Sequence, residues 1–145
     1  MSVERMASQT SPAQTRGGKV TVAGPGEYFF EMTKLEQVQG GPDYSSALGT
    51  AVEGERMLVA LMRMPAGTGS DPHSHPNEQW IYVLEGTLEM DVGGTVRTAA
   101  PGTAVYVPGN VVHHATVRGD RDVVFFTVKD TSWGLQGVRA DSPRS

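Results

Sequence analysis

Cysteine is absent from the 145 residues, which excludes disulfides, thiolate catalysis and cysteine-based zinc sites together. No basic excess is present: the formal net charge is −4 and the pI about 5.5. With no basic stripe, nucleic acid is a poor partner. No apolar run approaches the ~20 residues that a membrane-spanning helix needs. The opening residues, MSVERMASQTSPAQTRGG, lack an apolar core and a cleavage site, so no signal peptide is expected and a cytoplasmic location is the default reading. A sustained helical period is missing too, as are internal repeats, βαβ units and a phosphate-cradling glycine loop after a strand.

What is present is β-forming. A hydrophobic share of 38% and a charged share of 19% are globular composition. The length suits one domain. The 18 Gly and 9 Pro favour short strands joined by turns. Residues 1–19 are polar and read as a loose arm. Residues 20–138 read as one β-barrel domain, and 139–145 as a fading tail. Candidate strands are Lys19–Val22, Glu27–Met32, Leu48–Val52, Arg56–Met64, Glu78–Glu85, Thr87–Val92, Thr95–Ala100, Thr103–Val107, Val111–Val117 and Val123–Val128. Thr33–Gln39 could form a weak helical turn. Gly93-Gly94 is a two-residue hairpin signal. The pattern points to an antiparallel barrel or sandwich.

The four histidines fall in two places, DPHSHPNEQW and PGNVVHHAT. On an extended chain, His73 and His75 share a face because side chains alternate with period two. Gln79 has their parity and Glu78 the opposite one, although a bulge at Pro76-Asn77 could exchange the two. Only one of His113 and His114 can face the first pair. Imidazole nitrogens suit Zn, Fe, Ni, Cu and Mn, and an amide oxygen is a weak, hard donor.

Residues 67–86, GTGSDPHSHPNEQWIYVLEG, resemble the first motif of the cupin superfamily: Gly67, His73, His75 and Gly86 fit, with Gln79 at the place of the family's Glu. Residues 102–117 resemble the second motif through Gly102, Pro108 and His113, which selects His113 over His114. Fifteen residues separate Gly86 from Gly102. Gln79 for Glu is a departure found in a subgroup of small cupins with His-x-His-Pro-x-Glu-Gln. Asn110 replaces a glycine, and Asn tolerates the left-handed region best among other residues. Val117 replaces an asparagine.

The resemblance, spanning roughly Arg56 to Lys129, implies a double-stranded β-helix, or jelly-roll barrel. It implies one divalent transition metal (Fe, Mn, Ni or Zn) on His73, His75, Gln79 and His113. It also implies a homodimer, with Glu27–Met32 as an exchanged edge strand. The expected chemistry is Lewis-acid isomerisation or lyase chemistry on a small oxygen-rich keto or sugar acid. The alternatives are an Fe(II)-dependent dioxygenase and a non-catalytic small-molecule binder. Arg63 and Arg56 are candidates for gripping a substrate carboxylate, against a solvated or ion-paired role. Met57, Met62 and Met64 are expected in the core. Trp80 and Tyr82 are expected on the face opposite Gln79.

Overall fold

The computed structural model describes residues 19–140. The expected arm over 1–19 therefore lies, but for Lys19, outside the described residues, as does the tail beyond Ala140. The strands are β1 (Thr21–Val22), β2 (Val38–Gln39), β3 (Leu48–Glu53), β4 (Met57–Met64), β5 (His73–Ser74), β6 (Gln79–Glu85), β7 (Thr87–Val92), β8 (Thr95–Ala99), β9 (Ala104–Val107), β10 (His113–Arg118), β11 (Val123–Asp130) and β12 (Val138–Arg139). One 3₁₀ turn covers Met32–Lys34.

These strands form two sheets of a jelly-roll barrel. One runs β1-β3-β4-β11-β6-β9, with β2 also paired to β3; the other runs β12-β5-β10-β7-β8. Period-two burial explains the closure. In β11 the pattern alternates without a break, turning Val123, Phe125, Thr127 and Lys129 inward. In β6 it turns Gln79, Ile81 and Val83 inward. The apolar sets of the two sheets meet as one core, with Leu58, Ala60, Val83, Val107 and Val123 fully buried. Burial of such side chains is the main favourable term, about 25 cal/mol per Å² of apolar surface.

Turn chemistry sets the registers. Gly93 and Gly94 take φ of 59° and 93° between β7 and β8, the left-handed pair that a tight hairpin needs. Asn110 is the single non-glycine residue with positive φ among the described residues, at 66°, so the departure from glycine keeps the turn.

Several expectations need correction. Glu27–Met32 is not a strand: residues 27–31 are irregular, and Tyr28 and Phe29 stand exposed. A turn closed by the Glu27 amide on Gly24 O ends the β1 pairing just before it, and among the described residues no strand pairs with the segment. The segment 33–39 is a 3₁₀ turn followed by β2 rather than one helical turn. Met57 is 61% exposed while Met62 and Met64 are buried, because odd positions of β4 face outward. The ordered domain also runs past 138: β12 includes Arg139, whose Nη1 binds Asp71 at 2.7 Å, and the Ala140 amide donates to Pro72 O. Trp80 and Tyr82 do lie on the outer face.

The alternation in β4 carries a quantitative expectation. Leu58→Ala should lower stability by about 2–5 kcal/mol, and Met57→Ala, one residue away, by less than about 0.5 kcal/mol. Urea unfolding of the two variants checks this; equal losses would contradict the inward-outward assignment.

Candidate metal and ligand site

The site sits inside the barrel, between the sheets. β5 and β10 place His73 directly opposite His113 in an antiparallel pair. His75 follows in the chain stretch leading to β6, and Gln79 opens β6. All four side chains are buried. The imidazole centres are 4.2 Å apart for His73 and His113, 4.9 Å for His75 and His113, and 6.3 Å for His73 and His75. Glu78 points outward, where it accepts a hydrogen bond from the Tyr106 hydroxyl. His114 turns toward Asp91, at 4.0 Å.

Each of the three imidazoles is pinned in the same way. His73 Nδ1 lies 2.7 Å from Asp71 O, His75 Nδ1 2.8 Å from Asn77 O, and His113 Nδ1 2.8 Å from Val111 O. A carbonyl oxygen only accepts, so each Nδ1 must be the protonated nitrogen. In a neutral ring Nε2 then carries the lone pair. The rings are neutral at ordinary pH. Burial, then the neighbouring His113, pushes His73 down to about 3, and burial with the nearby Lys129 amine pushes His75 down to about 4. Burial likewise lowers His113.

Gln79 is oriented by a chain of donors. Thr127 Oγ1 donates its one proton to Trp80 O at 2.8 Å. It must therefore accept from the Gln79 amide nitrogen, also 2.8 Å away. The amide oxygen is left facing His75 Nε2 at 3.0 Å. Two acceptors thus face each other with no proton between them. A third, His113 Nε2, is buried with no hydrogen-bond partner among the described residues. Unpaired buried acceptors of this kind are costly, and a cation among them relieves all three.

Among the described residues no group of three or more His, Cys, Asp or Glu side chains stands ready-formed as a metal cage. The three imidazoles alone do not form such a group; what suits a cation there is that His75 Nε2 and the Gln79 oxygen meet as two acceptors and His113 Nε2 has no partner among the described residues. Tethering Nδ1 to a carbonyl is also the usual way a protein fixes the tautomer of a metal-binding histidine.

Further side chains complete the cavity. Tyr44 stacks on His73, with ring centres 4.1 Å apart, and its hydroxyl accepts the Gly137 amide at 2.7 Å. Burial raises its pKa. Lys129, opposite Gln79 in the β11–β6 ladder, is 5% exposed, and its Nζ donates to Leu135 O. Burial drops its pKa to about 7. Asn77 Nδ2 donates to Asp130 O at 2.9 Å, tying the loop after His75 to the end of β11.

Arg56 and Arg63 lie elsewhere. Arg63 takes an outward position of β4 and binds Asp122 at 3.2 Å; Arg56 is exposed in the turn before β4. The parity that turns Met62 and Met64 inward turns Arg63 out, so neither arginine meets the imidazoles. The signal for Lys129 was available: it shares parity with Thr127 and Phe125 on an alternating strand. Tyr44 gave none, because its position depends on a loop crossing to the tail.

A family model described as the cupin domain matches residues 60–129. The chain is 29% identical over 84 residues, 58% of its length and 78% of the other, to an uncharacterised protein, SCO3923, of Streptomyces coelicolor. The polyketide cyclase RemF of Streptomyces resistomycificus superposes with a TM-score of 0.61 at 19% identity, covering 71% of this chain and 78% of that one. The DMSP lyase DddQ of Ruegeria pomeroyi gives 0.57 at 23% identity, over 65% and 47%. At these identities the two structures establish the shared fold.

The depressed histidines set a pH dependence for metal-stripped protein. Unfolded, each takes up a proton near pH 6.5; folded, His73 and His75 resist until about 3 and 4. The unfolded state therefore binds more protons as pH falls from about 6.5 to about 4, and stability drops through that window. Thermal melts should show the loss, and His73→Gln should flatten it. An unchanged slope in that variant would contradict burial of His73 as a neutral ring.

Proposed function

For this member of the cupin superfamily, we propose a metal-dependent enzyme that acts on a small keto- or sugar-acid-like molecule by isomerisation or lyase chemistry. His73, His75, Gln79 and His113 would hold one divalent transition metal, Fe, Mn, Ni or Zn. The observation that carries the reading is the group of acceptors without donors, His75 Nε2 against the Gln79 amide oxygen at 3.0 Å with His113 Nε2 orphaned beside them.

When bound, such an ion supplies Lewis acidity toward a carbonyl or hydroxyl oxygen. The protein's own groups do the rest. Three carbonyl tethers hold the rings in one tautomer, so their orientation need not be found anew in each cycle. All four donors are neutral, which leaves the charge of a divalent ion undiminished and favours an oxygen-rich, electron-donating substrate. Thr127 keeps the amide oxygen turned toward the imidazoles. Met62, Met64, Ile81, Leu88 and Phe125 line the cavity; these apolar walls exclude water and strengthen every polar interaction inside. The same fold carries a polyketide cyclase and a DMSP lyase, which suits small-molecule chemistry without selecting a reaction.

The decisive experiment joins elemental analysis of the native protein to a screen against short keto acids, unsaturated uronates and diketones, with oxygen uptake followed in parallel. Turnover without oxygen uptake is the expected result. Oxygen consumption with Fe(II) would move the assignment to a dioxygenase, and stoichiometric ligand binding without turnover to a binding protein.

Two variants examine the donor set. His113→Ala should lose most of the metal, and full occupancy by mass spectrometry would refute its role. Thr127→Val should weaken metal affinity about 10- to 100-fold while the fold persists. Unchanged affinity in a chelator competition would show that the hydroxyl does not orient Gln79.

A further inference from the structure

The cavity beside the imidazoles has a polarity that the metal donors do not explain. His73, His113, His114, Gln79 and Lys129 line it, and no Asp or Glu is among the described residues that do. A buried lysine is ordinarily paired with a carboxylate. Among the described residues Lys129 has instead only the Leu135 carbonyl as a partner. An amine carries at least two N–H groups even when neutral, and three when charged, so donor capacity remains. Its place on the ladder, across from Gln79, puts it at the edge of the donor set rather than within it.

The geometry points to Lys129 as the anchor for a carboxylate of the substrate, and to a short-chain keto or hydroxy monocarboxylic acid as the substrate class. This deepens the reading given above and rests on it for the chemistry, though not for the binding. Size supports the class. The cavity measures about 60 Å³; at roughly 10–15 Å³ per water-sized occupant, it takes about four to six such units. That is the scale of pyruvate. The apolar lining of Met62, Met64, Leu88, Met90 and Phe125 suits a short carbon body whose polar end meets the amine beside the imidazoles.

The test uses isothermal titration calorimetry with pyruvate and its neutral analogue pyruvamide, on metal-stripped and on zinc-loaded protein. Lys129→Met keeps the length and volume of the stem while removing the donor, and a melting curve checks that it folds. Parent protein should prefer pyruvate to pyruvamide in both forms. Lys129→Met should weaken pyruvate by about thirtyfold or more and leave pyruvamide and zinc stoichiometry unchanged.

Equal pyruvate affinity in parent and variant would overturn the assignment, as would a parent that does not distinguish the two probes or binds neither. Lysine-independent pyruvate binding to the zinc form alone would remove Lys129 while leaving the metal reading intact. Failure to take up zinc, with lysine-dependent binding still seen in stripped protein, would remove the metal reading and keep the anchor.

Discussion

A hydroxyl that can give its proton only once decides which end of Gln79 meets the histidines. Thr127 donates to the Trp80 carbonyl and so must receive from the amide nitrogen. That single polarity, fixed by a main-chain acceptor in a β-ladder, aims an oxygen lone pair at His75. The three Nδ1-to-carbonyl tethers do the same for the rings. Sheet backbone and loop carbonyls thereby set the direction of side-chain donors that are far apart in sequence. The site needs a rigid barrel for this reason: a shift of β6 against β11 would uncouple the amide from its orienting hydroxyl.

The division of labour between the sheets follows. β5 and β10 bring two imidazoles together as an antiparallel pair. β6 and β11, in the other sheet, bring the amide and the amine. The cavity is bounded by an aromatic nitrogen face on one side and an amide-and-amine face on the other, with apolar side chains filling the remainder. Among the described residues no Asp or Glu lines it. Under the proposed reading such a pocket would favour small, electron-rich guests.

Much of this was legible in the chain. His73 and His75 share a face because the backbone there is extended, and Gln79 keeps their parity through Pro76 and Asn77, all four alternate positions from His73 to Gln79 being buried. The glycines at 93 and 94 announced their hairpin, and the choice of His113 over His114 followed from motif spacing. Local pattern failed where tertiary contacts decide. Arg63 was a candidate only because its strand lines the cavity; its own parity sends it to Asp122. Glu27–Met32 has strand-like residues but joins neither sheet of the single chain among the described residues. Lys129 follows the parity of its strand, but Tyr44 and the carbonyl that holds the amine depend on a loop returning across the barrel from residues 134–137, which no local period encodes.

That returning loop lies beyond residue 129, where the match to the cupin domain stops. Its Leu135 carbonyl holds the amine, its Gly137 amide holds Tyr44, and Gln136 reaches the Gln39 carbonyl at 2.9 Å. The histidine cradle and the far wall of the chamber are thus written in separate stretches of the gene product. Exchanges in that segment would reshape what the chamber admits and would reach the cradle as well, since Arg139 pairs with His73 and Gly137 lies against the His75 ring.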